Sequence, residues 1–456
     1  MAGIGFELRK ILKRDSLLSL MQAYSYAALI SSGPWIMSIV GILVIGLVSY
    51  TVNMPKLAIV QFQVSITYVI SLSLIFTGIF QLALTRFAAD RLFEKDNHAI
   101  LPNFHSVSMA VTVVGGVLGL LAVAFLFPQQ SALYRLLLLA AFIIMCNIWI
   151  ATIFLSGMKQ YKAIFWIYAL GYAITVVAAL LLRPMGLEGL MGGFVIGQAV
   201  LLMAMMALIL RNFPSDRFIS FEFYERKKLY PSLMAIGLLY NTAIWIDKAM
   251  FWYTPETSQA IIGPLRASVI YDLPVFLAYL SIIPGMAIFL LRMETDFVED
   301  YDAFYEAVRT GASLETIEKH RNGMVETVRL GLLEIIKIQA ITTLLLMVTG
   351  ESILKWLGIS TLYLPLLYID VIAASLQVVL LGILNVFFYL DKRRIVLGLC
   401  GGLVVLNFAL TALSLHLGPT FYGFGFALAV FVVVLAGFVL LTRKLELLEY
   451  ETFMLQ

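Results

Sequence analysis

The chain has 456 residues, of which 61% are hydrophobic and only 13% charged, whereas a soluble globular domain carries about 25% charged residues. With a mean hydropathy of +0.96 it cannot cover its apolar surface in one water-soluble core, and lipid is the solvent that suits it. A net charge of +3 gives no electrostatic footprint for nucleic acid, so no nucleic-acid partner is expected.

Residues 1–23 set Phe6, Leu8, Ile11 and Leu12 against Arg9, Lys10, Lys13 and Arg14, the pattern of a cytoplasmic amphipathic helix lying on the lipid bilayer. A helix needs about 20 apolar residues to cross the hydrocarbon. Six such runs follow, at 24–50, 57–84, 104–127, 132–156, 163–182 and 190–210. In the first, Pro34 of Ser31-Ser32-Gly33-Pro34-Trp35 predicts a kink, because proline removes a backbone donor and clashes one turn back. A charged segment at 211–229 separates these from runs at 231–253, 268–291, 330–349, 363–389, 395–415 and 422–441. Residues 443–456 form a cytoplasmic tail. The expectation is an all-α polytopic membrane protein with about 12 transmembrane helices.

With the N-terminus inside, 24 of the 31 Lys and Arg fall in cytoplasmic segments, and 5 (Lys56, Arg135, Arg183, Arg266 and Lys355) fall in outer loops. That bias places both termini in the cytoplasm. The longest charged segments, 85–103 and 292–329, occupy equivalent places when the chain is divided at the linker 214–229. The division gives an N-terminal lobe, 24–213, and a C-terminal lobe, 230–442. Each has six helices starting on the same side, so the lobes are parallel and face each other around a central cavity. The second charged segment begins with Glu294, Asp296, Glu299, Asp300, Asp302 and Glu306, interleaved with Tyr301, Phe304 and Tyr305. It reads as a solvated amphipathic helix, or else as a docking surface for a cytoplasmic partner.

A charge at the bilayer centre costs about 3 kcal/mol on insertion scales, so polar groups kept there face a partner or a wet cavity. The run 231–253 holds Tyr240, Asn241, Asp247 and Lys248. Helical spacing puts Asn241, Trp245 and Lys248 on one face and Tyr240 and Asp247 on the adjoining one. Glu334 and Lys337 form an i, i+3 pair that neutralises itself. Gln63, Thr67 and Ser71 make a stripe continued by Thr77 and Gln81; Gln377 and Asn385 are roughly aligned, and Asn147 and Asn407 stand singly. Helix–helix hydrogen bonding accounts for many such amides. The candidate lining of a substrate or ion cavity is therefore Asp247 and Lys248 first. Tyr240, Asn241, Glu334 and Lys337 come next, then Gln63, Gln81, Asn147, Gln377 and Asn385. Asp272 and Asp370 lie near span starts, where snorkelling towards water is expected. Asp247 and Glu334 offset Lys248 and Lys337, which favours a neutral or cationic cargo; a phosphate-bearing cargo calls for uncompensated arginines.

No catalytic residue, cofactor or metal site is expected. Every outer loop is short, and no Walker A, HExxH or CxxC motif occurs. Cys146 and Cys400 sit in apolar runs and read as small buried hydrophobes, and His98, His105, His320 and His416 are scattered. Ala89-Asp90-Arg91 lacks the flanking glycines of major-facilitator carriers.

The run Met1-Ala2-Gly3-Ile4-Gly5-Phe6-Glu7-Leu8-Arg9-Lys10-Ile11-Leu12, followed by Ser31-Ser32-Gly33-Pro34-Trp35, resembles the PelG family of polytopic inner-membrane proteins in bacterial Pel exopolysaccharide systems. That family looks like a branch of the multidrug/oligosaccharidyl-lipid/polysaccharide (MOP) exporters. The resemblance implies export of Pel polysaccharide, rich in N-acetylgalactosamine and its cationic deacetylated form, across the inner membrane. It also implies a complex with the membrane subunits PelD and PelE and the cytoplasmic glycosyltransferase PelF, with regulation by cyclic di-GMP through PelD. It carries over no substrate-contact residue. Two other readings stand beside export: a cation-coupled flippase of a lipid-linked oligosaccharide, and a non-transporting scaffold for the synthase.

Overall fold

The computed structural model describes residues 17–50, 55–158, 160–226 and 228–454. Residues 1–16 of the expected surface helix, with the run that carries the family resemblance, lie outside the described residues. Each long apolar run folds as a helix, because in lipid every backbone polar group must find its partner within the segment. Ten of the described helices are long and apolar enough to cross a membrane, or eleven when the two arms of a bent first helix are taken as one span. The expected span at 231–253 is helical too, but it carries Asn241, Asp247 and Lys248 and falls outside the ten.

Two compact units are formed: Gly33–Trp245 with Phe251–Ser268, and the residues up to Ser32 with Ile246–Met250 and Val269–Gln456. Helix α1 (Leu17–Tyr50) is broken at Pro34 into Met21–Pro34 and Ile36–Gly46, where the proline predicts it. The helices α2 (Lys56–Phe93), α3 (Ile100–Leu126), α4 (Ala132–Gly157), α5 (Tyr161–Leu182) and α6 (Leu187–Asn212) belong to the first unit. Most of α7 (Pro231–Tyr253) does as well. Within that unit α2 and α7 cross at Gly78 and Gly237. A Cβ on Gly78 would lie 2.6 Å from the Gly237 carbonyl oxygen. Beside this crossing Asn241 Nδ2 donates to the Leu74 carbonyl at 3.1 Å.

The segment after α7 is not a plain loop. It forms a hairpin of β1 (Gln259–Ile262) and β2 (Leu265–Ala267), antiparallel, turning at Gly263 with φ +53°. Gln61 Nε2 donates to the Ile261 carbonyl at 3.2 Å, and Tyr68 Oη donates to the Arg266 carbonyl at 2.9 Å, so α2 holds the hairpin.

In the second unit the expected span 268–291 is broken into α8 (Val269–Leu280) and α9 (Ile283–Leu291). Pro284, in the first turn of α9, cannot donate back to the end of α8. A π-helical turn, Arg292–Asp296, then leads into α10 (Phe297–Arg309). The segment 292–329 is thus mostly helical, as the amphipathic pattern predicts: α10 is followed by α11 (Leu314–Trp356), a helix of 43 residues. At 1.5 Å per residue α11 is about 65 Å long, roughly twice the hydrocarbon thickness. Helix α10 is amphipathic, burying Phe297, Val298, Phe304 and Ala307 while Glu299, Asp302 and Glu306 are exposed. The helices α12 (Leu364–Tyr389), α13 (Arg393–Leu417), α14 (Phe424–Glu446) and the short α15 (Leu448–Met454) complete the unit. Glu451 of α15 pairs with Lys392 at 2.5 Å and also with Lys444. Burial pushes its carboxyl up, but the two ammonium groups outweigh that and hold it below the usual glutamate range.

Candidate functional site

A buried polar cluster lies inside the second unit, where α7 contributes Asp247 and Lys248. Asp247 is fully buried and Lys248 is 5% exposed. They are sequence neighbours, about 100° apart around the helix, yet the four-carbon lysine stem folds back to bring Nζ within 3.0 Å of Asp247 Oδ2 and 3.3 Å of Oδ1. Tyr271 of α8 donates to Asp247 Oδ2 at 2.6 Å. Asn407 of α13 donates to Oδ1 at 3.4 Å and accepts from Thr411 at 2.9 Å. The carboxylate is therefore held by an ammonium, a phenol and an amide, the arrangement that makes a buried ion tolerable. The ammonium sits over the rings of Phe426 and Tyr279, at 4.8 and 5.2 Å from their centroids, where the ring faces attract it. Tyr279 in turn donates to Gln377 Oε1 at 2.9 Å.

Asp370 of α12 closes the cluster. The sequence reading has it snorkelling to water, but it is 4% exposed and lies in the electrostatic range of both Lys248 and Asp247. Neither of its carboxylate oxygens has a hydrogen-bond partner. It is covered by Gly423, whose φ is +85° and where a Cβ would come within 3.1 Å of Asp370 Oδ1 and 2.6 Å of Leu366 Cδ1. Two buried carboxylates around one ammonium leave room for one further positive charge, a proton or a small cation, and Asp370 holds the free acceptors. Among the described residues no three His, Cys, Asp or Glu side chains come together as a metal site.

The other predicted lining residues are dispersed. Glu334 does not pair with Lys337. Arg292 takes it through Nε and Nη2 at 2.6 and 2.9 Å, since a guanidinium fork matches a carboxylate better than an i, i+3 ammonium does. Burial works against the Arg292 cation, but Glu334 and Asp296 outweigh it and hold its pKa above the ordinary arginine value. Lys337 is exposed on α11. Asn147 bridges helices, donating to Thr112 Oγ1 at 2.9 Å and accepting from Ser108. Gln81 donates to Thr77 within its own helix at 2.9 Å. Gln63 is half-buried against Gly46, and Tyr240 and Asn385 are half-buried. Of the eleven, Asp247, Lys248 and Gln377 share the cluster. Tyr271, Tyr279, Asp370 and Asn407 are not among the candidates; the sequence reading notes Asp370 as snorkelling and Asn407 as a single amide.

The sequence model of the family PelG, "Putative exopolysaccharide Exporter (EPS-E)", matches residues 1–453. The chain belongs to the PelG family. No curated protein matches it. Among solved structures the chain is similar to the outward-facing conformation of a multidrug resistance MATE family transporter of the MOP superfamily. The TM-score is 0.67 at 13% identity, covering 93% of this chain and 96% of that one. The inward-facing conformation of a MATE family transporter gives 0.61 at 14% identity, covering 93% and 95%. A MOP superfamily transporter from Pyrococcus furiosus gives 0.66 at 14% identity, covering 93% and 96%. At such identities the likeness is one of fold. This chain is a multi-pass membrane protein with the fold of MOP transporters.

Proposed function

We propose that this PelG-family chain carries Pel polysaccharide, a polymer rich in N-acetylgalactosamine and galactosamine, across the bacterial inner membrane. In this reading both termini are cytoplasmic, and the chain works beside PelD, PelE and the glycosyltransferase PelF without catalysing a reaction itself. The observation that carries the reading is the family match over almost the whole chain, joined to a transporter fold. The buried cluster of Asp247, Lys248 and Asp370 supports it, because charge buried among apolar helices is retained where it serves a pathway.

The second reading, a cation-coupled flippase for a lipid-linked oligosaccharide, is favoured by one observation: Asp370 keeps both carboxylate oxygens unpaired, as an exchangeable cation or proton requires. Alternating access also suits a compact lipid-linked unit better than a threaded polymer. In a third reading the chain is a scaffold, and the cluster is then dispensable. Asp247→Asn and Lys248→Met, scored by secreted polymer at equal protein level, separate transport from scaffolding. Both are expected to cut secretion at least tenfold. Undiminished secretion in both would sink the transport reading.

A further inference from the structure

The charged segment between α6 and α7 is pinned inside the first unit. Apart from one 3₁₀ turn at Glu222–Tyr224, residues 213–226 run as irregular backbone. Hydrogen bonds lay this segment along the start of α3. Ser215 Oγ donates to the His98 carbonyl at 2.8 Å, and the Ser220 amide to the Pro102 carbonyl at 3.2 Å. The Phe223 amide donates to Asn103 Oδ1 at 2.8 Å, and His105 Nδ1 to the Phe218 carbonyl at 2.8 Å. Tyr224 Oη reaches the Ser106 carbonyl at 3.4 Å. Asn103 is fully buried and is itself fixed, donating to the Ala99 carbonyl at 2.8 Å.

These contacts fix the depth of the segment. Helix α3 ends at Leu126, and about 20 helical residues cross the hydrocarbon, so counting back brings its other edge close to Val107. Exposed side chains on α3 recur from Met109 to Leu126, as lipid contact requires, whereas Ile100–Phe104 are buried. The segment therefore lies at the level of residues 98–106, in the headgroup layer on the face that the Lys and Arg bias assigns to the cytoplasm. It can go no deeper, because irregular backbone facing acyl chains leaves its polar groups unpaired.

Its outward surface suits that depth. Phe223 is buried, edge-on to Phe87 at 5.8 Å, but Phe218 is 74% and Phe221 59% exposed. Phe218 is held in this position by its carbonyl bond and by the His105 ring, 4.8 Å from its own. Residues 211–229 include five basic and three acidic side chains. Glu222 and Glu225 are both committed to Lys228, at 3.1 and 3.2 Å. Arg211, Arg217 and Arg226 stand exposed, with Asp216 as the opposing acid. Open rings beside guanidinium groups match a leaflet with anionic phosphates above acyl chains. The rings enter the boundary and the guanidinium forks take phosphate oxygens. A soluble protein docking here would have to displace the headgroups among which the surface lies.

We infer that the segment 211–226 is an anchor for anionic lipid, with Phe218 and Phe221 in the bilayer boundary and Arg211 and Arg217 on lipid phosphates. The test uses the full-length chain in nanodiscs of phosphatidylcholine with phosphatidylglycerol. Both native cysteines, Cys146 and Cys400, are buried, so a spin label on Asp216→Cys reports the segment alone. The label is expected to be at least threefold less accessible to a water-soluble nickel chelate than a label free in solution. Adding Phe218→Ser and Phe221→Ser is expected to raise nickel accessibility at least threefold. Tryptophan at both positions is expected to keep it low, which separates loss of the anchor from loss of the fold. In the unlabelled chain, spin-labelled phosphatidylglycerol is expected to associate in preference to phosphatidylcholine, and Arg211→Gln with Arg217→Gln to cut that preference at least twofold. A label as open to nickel as in free solution overturns the inference and marks the surface as one for a soluble protein. Accessibility indifferent to the serine pair overturns it too, as does a lipid preference that survives the glutamine pair.

Discussion

At the scale of single residues, the Asp247–Lys248 pair sets the stakes. Each charge is tolerable in the bilayer because the other lies about 3.0 Å away, with Tyr271 and Asn407 taking the remaining acceptor capacity. Removing one partner leaves the other buried and uncompensated, which costs about 3–5 kcal/mol in folded proteins. Lys248→Met and Asp247→Ala are therefore each expected to lower the melting temperature of the purified chain. The double variant should recover more than half of the summed loss, and simple additivity would argue that the two charges do not depend on each other. Both residues were legible in the sequence, since a charge inside an apolar run announces itself. Asp370 was not. Sequence position gives its depth along α12, near the start, but not what covers it, and the cover is Gly423, which has no side chain to signal the contact. Tyr271 and Tyr279 were hidden for another reason: near a span start, Tyr271 reads equally well as an interface anchor, Tyr279 sits mid-run among apolar residues, and only the packing of α8 turns both onto the cluster.

At the scale of elements, hydropathy located the helices well and their breaks poorly. Runs of apolar residues betray spans because the backbone in lipid has no other solution. The break between α8 and α9 follows from Pro284, as legible in principle as the bend at Pro34. The hairpin of β1 and β2 is too short to give an alternating pattern. The acidic segment reads as a solvated amphipathic helix, and α10 is one; the pattern does not show that α11 runs unbroken from Leu314 through the expected span 330–349 to Trp356. The crossing of α2 and α7 depends on two residues with no side chain at all. A Cβ at Gly237 would lie 2.1 Å from the Gly78 carbonyl oxygen, which is backbone and cannot rotate away. Gly78→Ala and Gly237→Ala are thus expected to force the helices apart. The cost is about 1–3 kcal/mol or more, read as a fall of several degrees in the melting temperature. Gly398→Ala is the control. Nothing lies within 4 Å of a Cβ there, so alanine is expected to be neutral or to gain about 0.5–1 kcal/mol from its better helix propensity. Equal effects at the three positions would dismiss the close crossing as a determinant of stability.

At the scale of the whole molecule, the distribution of charge restricts what can pass. Composition placed the chain in lipid and hydropathy gave its plan. The partition into two compact units was less legible, because both α1 and α7 contribute to each of them. In the buried cluster the one cation among the described residues, Lys248, is already matched by Asp247, while neither carboxylate oxygen of Asp370 has a hydrogen-bond partner. Arg292 is committed to Glu334 and Asp296. An anionic cargo would find no uncompensated cation among these groups. A neutral or amine-bearing glycan needs none. In proteoliposomes, a galactosamine oligomer is therefore expected to cross at least tenfold faster than a uronic-acid oligomer of equal length. If Asp370 takes up a proton or cation during the cycle, flux rises with an imposed gradient of that ion, and Asp370→Asn removes the gradient dependence while sparing part of the gradient-free flux. Equal rates for the anionic and cationic oligomers would contradict the charge argument. A gradient response that survives Asp370→Asn would instead move the coupling away from this cluster.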